Sequence, residues 1–317
     1  MIKPQVLILG WLPEGILPGL AAEFTQVEFV DARDQAVFEQ HIQNASISYG
    51  LPPVARLPEA AKLRWIQLTS AGVPQDLCPV AARRGIKVTN LAGLYAASIA
   101  EHALALMVML ARNLQVVIRN QQQKRWDRDV ARTMSDLHGR TVALVGLGNI
   151  GRGVARLARA YGMRVLGCRR TDRHVPFVDR IYRCADMRAM LGEADYVVVA
   201  APMTAQTEGM LGSGEFQAMK RGAIYINVSR GGIAQEKALI DALRSGHLAA
   251  AGMDVFAAEP LAPDHPLWTM PQVIISPHYS GETVNQSSLP AERFARNLRG
   301  WLTDGEMEGV VDLKWGY

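Results

Sequence analysis

An arginine, a carboxylate and a histidine stand in three polar segments of the second half of the chain. They are Asn227-Val228-Ser229-Arg230-Gly231-Gly232, Gly252-Met253-Asp254-Val255-Phe256-Ala257-Ala258-Glu259-Pro260, and Ser276-Pro277-His278-Tyr279-Ser280-Gly281. A guanidinium binds anions, and a histidine with a carboxylate moves protons near neutral pH. Singly, each has an ordinary structural explanation. Arg230 could be a helix-capping ion pair, Glu259 a turn carboxylate before Pro260, and His278 a surface-loop side chain. Chemistry requires that one scaffold bring all three together.

The sequence supplies such a scaffold. Each segment follows, or ends, a short apolar run of strand type: Ala223–Asn227, Ala250–Asp254 and Val273–Ser276. Further runs at Thr141–Val145, Arg164–Cys168 and Tyr196–Ala200 precede them, with helical patterns at about Val154–Tyr161, Gly214–Ala218 and Gln235–Ser245. Strands alternating with helices predict a parallel sheet covered on both faces, and ligands bind outside the carboxyl ends of such strands. Val142 to Val145 is followed by Gly146-Leu147-Gly148-Asn149-Ile150-Gly151 and then by helical spacing at Val154, Leu157, Ala158 and Tyr161. A GxGxxG between strand and helix is a dinucleotide fingerprint. Its first glycine makes the turn, the second admits a pyrophosphate, and the third lets helix pack on strand.

The second strand of this series ends Gly167-Cys168-Arg169-Arg170-Thr171. A carboxylate there, about 20 residues past the glycines, would read the adenosine ribose and repel a 2′-phosphate. Two arginines and a hydroxyl stand there instead. Guanidinium forks match phosphate oxygens, so NADP(H) is expected in preference to NAD(H), with NAD(H) still possible. Pro202 would shape the loop over the dinucleotide, and Thr204 would touch its phosphate or ribose. Asp254 would either lie near the nicotinamide carboxamide or be structural.

The 317 residues, 49% hydrophobic and 20% charged, fit a globular protein of two domains. A net charge of +4 is too mild to argue for nucleic acid. No apolar run has the length of a membrane span, and no signal peptide is expected. Cys78, Cys168 and Cys184 suit a reducing, cytoplasmic setting, and no metal-ligand spacing is present. Residues 1 to about 90 form a first strand–helix series without a glycine fingerprint. Its expected strands are Gln5–Leu9, Val27–Phe29, Ser46–Tyr49, Trp65–Leu68 and Lys87–Thr89, with helices around Leu17–Phe24 and Gln35–Gln43. One long helix is expected from about Ala96 to Gln122. Its early part is apolar around much of its circumference, which suggests packing on more than one surface and a homodimer. His102 on that helix reads as a structural histidine. A last helix near Leu289–Leu302 could return to the first domain. Leu51, Tyr95, Trp126 and Tyr279 are apolar candidates for lining a substrate pocket.

Taken in order, these segments resemble the D-isomer-specific 2-hydroxyacid dehydrogenases over nearly the whole chain. Ser70-Ala71-Gly72 also resembles that family's substrate loop, and Ala100-Glu101-His102 the opening of its interdomain helix. The paired arginines resemble the branch of NADPH-dependent glyoxylate/hydroxypyruvate reductases. The resemblance implies two doubly wound parallel-sheet α/β domains with an interdomain cleft. One is a flavodoxin-like substrate domain from residues 1–94 plus 285–317, and the other an inserted Rossmann cofactor domain from residues 95–284. It further implies catalytic roles for Arg230, Glu259 and His278. His278 would exchange a proton with the substrate carbonyl, Glu259 would orient its ring, and Arg230 would bind the carboxylate. Ser70, Ala71 and Gly72 would hold that carboxylate from the other domain. Gly146, Gly148, Asn149, Ile150, Gly151, Arg169, Arg170, Thr171, Ala201, Pro202, Thr204, Val228, Ser229, Asp254 and His278 would meet the cofactor. The implied partner is a small-molecule 2-keto acid, with glyoxylate and hydroxypyruvate ahead of bulkier acids such as phenylpyruvate. A rival use of such a fold is a dinucleotide-sensing binding module of corepressor type.

Overall fold

The computed structural model describes residues 3–170, 173–284 and 287–317. Val142 and Leu144 face one apolar layer while Ala143 and Val145 face another. The alternation is that of a strand buried on both sides, and it recurs at Val198 against Val197 and Val199. The chain divides into two units, Met1–Tyr95 with Thr283–Tyr317, and Ala96–Glu282. The expected crossings were 94/95 and 284/285; Asn285, which flanks the second, lies outside the described residues.

The first unit contains β1 (Gln5–Ile8), β2 (Glu28–Asp31), β3 (Ala45–Tyr49), β4 (Trp65–Gln67) and β5 (Lys87–Thr89), all parallel in the order β2-β1-β3-β4-β5. This is the flavodoxin-like order. Its early helices are α1 (Ile16–Glu23), α2 (Gln35–His41) and α3 (Leu77–Arg84). The sequence pattern gave no sign of α3, which carries Pro79 and only three buried side chains.

The second unit opens with α4 (Ala96–Ala111) and α5 (Leu114–Gln122). A single helix over this span was expected, and the structure corrects that. Asn113 takes a left-handed conformation (φ 49°) and the two helices diverge by 69°. Asparagine enters this region at low cost, and its Nδ2 donates to Thr133 Oγ1 at 2.9 Å. Then follow β6 (Thr141–Val145), α6 (Asn149–Ala160), β7 (Arg164–Arg169), β8 (Arg180–Arg183), α7 (Met187–Glu193), β9 (Tyr196–Val199), α8 (Ser213–Ala218), β10 (Ala223–Asn227), α9 (Glu236–Arg244), β11 (Leu248–Met253) and β12 (Val273–Ile275). The seven strands are parallel, in the order β12-β11-β10-β9-β6-β7-β8. Strand order reverses between β6 and β9, the switch point at which Rossmann sheets bind ligands. β8 and α7 were not expected; β8 is a polar edge strand, Arg-Ile-Tyr-Arg, too short to show alternation. Close packing of α4 on α6 depends on small residues, since a Cβ on Gly153 would come 2.9 Å from Ala100 Cβ.

The chain returns to the first unit as α10 (Leu289–Leu302). Phe294 stacks on Trp65 with ring centroids 5.4 Å apart, and both are fully buried. Asn297 Nδ2 donates to Gln67 Oε1 at 2.8 Å, and Thr89 Oγ1 donates to the same oxygen at 2.9 Å. These buried polar groups satisfy one another, so α10 completes the first core.

Candidate active site

The glycine loop follows β6. Gly146 has φ +102°, and a Cβ there would meet Ala201 backbone at 2.7 Å. A Cβ on Gly151 would lie 2.1 Å from the Gly146 carbonyl oxygen. Both glycines are therefore demanded by the protein itself. Gly148 differs. Its φ of −75° suits any residue, and a Cβ there would have no protein atom within 4 Å. The open space beside it leaves room for another molecule to approach the backbone closely. Gly148 also caps α6 without a side-chain hydrogen bond, so Asn149, Ile150 and Gly151 begin a helix whose dipole favours an anion. The loop thus fits a dinucleotide pyrophosphate on the chain's own geometry.

Neighbouring strand ends are tied to this loop. The Ser229 hydroxyl donates to the Ala201 carbonyl, joining the ends of β9 and β10. Val228 N donates to Val199 O at 3.4 Å, and Val228 is buried. Thr207 Oγ1 donates to Pro202 O at 2.7 Å and accepts from Thr204 N at 2.8 Å. Thr204 is thereby occupied in the turn that shapes the loop after β9. Arg169 ends β7 half-buried and Arg170 is exposed beside it. Thr171 lies outside the described residues.

Arg230, Glu259 and His278 all follow carboxyl ends of adjacent strands, β10, β11 and β12. His278 Nδ1 lies 2.7 Å from Glu259 Oε2. Glu259 Oε1 accepts from Phe256 N at 2.9 Å, which fixes the carboxylate. Arg230 Nη1 donates to Ser229 O at 2.7 Å, and Asn227 Nδ2 donates to Arg230 O at 3.1 Å. A Cβ on Gly231 would fall 1.9 Å from the Phe256 carbonyl carbon, so the loops bearing Arg230 and Glu259 are in backbone contact. An imidazole held by a carboxylate at Nδ1 can exchange a proton through its other nitrogen.

Asp254 sits beneath His278, fully buried at the end of β11. Its Oδ1 accepts from Ser276 Oγ at 2.6 Å and from Tyr279 N at 3.2 Å; its Oδ2 accepts from Ser280 N at 3.1 Å. Its backbone carbonyl accepts from His278 N at 2.8 Å. His278 itself has φ +53°, a left-handed conformation that costs a non-glycine residue about 1 kcal/mol or more. The Asp254 bonds on either side hold it there. His102 Nε2 lies 2.9 Å from Ser276 Oγ, a contact that sequence reasoning missed. Nothing in the pattern could reveal it, since the partners are 174 residues apart. Burial holds the His102 pKa below its ordinary value, against the opposing pull of Asp254.

Ser70, Ala71 and Gly72 belong to the first unit, just beyond β4. Ser70 Oγ donates to Gly72 O at 2.9 Å, and Asn90 Nδ2 donates to Ala71 O at 2.9 Å. Of the four apolar candidates, Leu51 packs against the core of the first unit, and Tyr95 is partly buried where that unit's first segment ends. Trp126 is 93% exposed, and Tyr279 is exposed beside His278. Directly after β8, the Cys184 thiol is drawn down to about 6 by hydrogen bonding with Cys168 and by the Arg170 charge, against its burial. Cys168 is raised, by that same hydrogen bond and by burial.

Residues 104–280 match the family described as D-isomer specific 2-hydroxyacid dehydrogenase, NAD binding domain. A glyoxylate reductase of Korarchaeum cryptofilum is 33% identical over 310 residues, covering 94% of this chain and 92% of that protein. A glyoxylate/hydroxypyruvate reductase B of Klebsiella pneumoniae is 32% identical over 293 residues, covering 89% and 90%. The crystal structure of a D-isomer specific 2-hydroxyacid dehydrogenase from Xanthobacter autotrophicus, in complex with NADPH and MES, superposes with a TM-score of 0.84 at 25% identity, covering 99% and 100%.

Proposed function

Because the chain belongs to the D-isomer specific 2-hydroxyacid dehydrogenases, a family of NAD(P)-dependent oxidoreductases, we propose that it reduces a small 2-keto acid to the D-2-hydroxy acid with NADPH. Glyoxylate and hydroxypyruvate are the substrates this reading favours, in keeping with the names of its relatives. The observation that carries it is the His278–Glu259 pair at 2.7 Å, set at strand ends beside the Arg230 loop.

NADPH held at the glycine loop would supply a hydride for the ketone carbon. His278 delivers a proton to the carbonyl oxygen as charge develops there. Glu259 keeps Nδ1 protonated and the ring oriented. Arg230 binds the substrate carboxylate and polarises the keto oxygen. Ser70, Ala71 and Gly72 contribute to carboxylate binding. Gly146, Gly148 and Gly151 would receive the pyrophosphate, while Asp254, fully buried and bonded to Ser276, Tyr279 and Ser280, takes the structural role rather than the carboxamide one. Arg169, Arg170 and Thr171 take the 2′-phosphate, a preference supported by the lack of a carboxylate at the end of β7. We assign the protein to the cytoplasm, in line with its three free cysteines. We also assign it a homodimeric state, supported by the exposed apolar side chains Val117, Ile118 and Trp268 on the second unit.

The test is NADPH oxidation followed optically against a panel of 2-keto acids, with NADH in parallel. The expected result is turnover of glyoxylate or hydroxypyruvate with NADPH at least tenfold more efficient than NADH. Silence across the panel despite NADPH binding overturns the reductase reading. Equal efficiency with NADH overturns the role of the arginines.

A further inference from the structure

We infer that His102, donating from Nε2–H to Ser276, is a positioning residue that locks the loop carrying His278. The inference rests on His278 being the acid–base group. Ser276 has one hydroxyl proton. Asp254 is a carboxylate that only accepts, and it lies 2.6 Å from Ser276 Oγ. That proton is therefore committed to Asp254. The contact between Ser276 Oγ and His102 Nε2, at 2.9 Å, then needs its hydrogen on the histidine. The network fixes a tautomer: His102 carries Nε2–H, and the chain runs from His102 through Ser276 to Asp254.

His102 touches the loop a second time. Its ring meets the Tyr279 ring edge-on, with centroids 5.5 Å apart at 77°. Ser276 and Tyr279 flank Pro277 and His278, so one side chain of α4 grips the loop on both sides of His278. Asp254 grips the same loop from β11, through Ser276, Tyr279, Ser280 and the His278 amide. The strained backbone of His278 is thus held by two elements rather than one. Burial disfavours the charged form of the His102 ring.

The experiment compares His102→Gln, His102→Ala, Ser276→Ala and His278→Ala, with nitrogen-15 histidine NMR of the wild type. Glutamine can donate from near the Nε2 position, whereas alanine cannot. His102→Ala is expected to lower kcat at least tenfold with KM changed less than threefold, and His102→Gln to restore kcat to within threefold of wild type. Ser276→Ala should alter the His102 Nε2 resonance, and adding it to His102→Ala should lower kcat no further. The NMR spectrum should show the Nε2–H tautomer, a readout independent of turnover and of whether His102→Ala folds. An Nδ1–H tautomer overturns the inference, as does a glutamine variant no better than alanine. Full turnover by His278→Ala would instead overturn the acid–base reading, and leave the tautomer result to stand on its own.

Discussion

Glu259 holds His278 with one carboxylate oxygen and the Phe256 amide with the other. The two bonds lock the carboxylate, and through it the imidazole. Glutamine could accept from only one of these donors, because its amide nitrogen would face the other. Glu259→Gln should therefore lower kcat by about 100-fold, the scale on which a misoriented acid–base group is felt. Steady-state kinetics with NADPH and the best 2-keto acid check this. Unchanged kcat would remove Glu259 from the chemistry.

The glycines of the dinucleotide loop separate folding from binding. Gly151→Ala drives a methyl into the Gly146 carbonyl and should lower the melting temperature strongly. Gly148→Ala meets no protein atom and should leave the melting temperature within a degree or two. It should nevertheless weaken NADPH binding at least tenfold, measured by fluorescence titration. Unaltered affinity in the Gly148 variant would place the pyrophosphate elsewhere.

Cys184 should be the reactive thiol. Hydrogen bonding with Cys168 and the Arg170 charge draw its pKa down and raise its thiolate fraction at neutral pH, and the thiolate is the nucleophile. Cys78 and Cys168 are buried and shifted upward, so they should stay protonated. Iodoacetamide at pH 7 is expected to label one site, with a rate that rises through pH 6 and levels off above it. NADPH should slow the labelling, because a phosphate near Arg170 adds negative charge beside the thiolate. An inflection above pH 8 would contradict this environment.

Much of this molecule was legible in its sequence because the signals were local. The run at Thr141–Val145, the three glycines and the polar segments after Asn227, Asp254 and Ile275 each declare their own strand end. Edges and breaks were harder to read. β8 presents arginines at both ends, and Asn113 interrupts a helix whose apolar pattern continues past it. The site was legible as residue types but not as a network. The bonds from Asp254 to Ser276, Tyr279 and Ser280 and the contact of His102 join different elements, and no spacing encodes them. His102 reads from sequence as structural. The structure puts it against the loop that bears His278.

The Asn297–Gln67 bond spans 230 residues, and Phe294 closes over Trp65 beside it. A ribosome adding about 5–20 residues per second takes roughly ten seconds or more to cover that distance. Throughout that interval, the aromatic face of the first sheet has been made but its cover has not. The intervening unit's last strand, β12, ends at Ile275, ahead of α10, which begins at Leu289. Order of synthesis therefore favours completing the inserted unit first. The N-terminal sheet is left as the segment that a nascent-chain chaperone would have to shield.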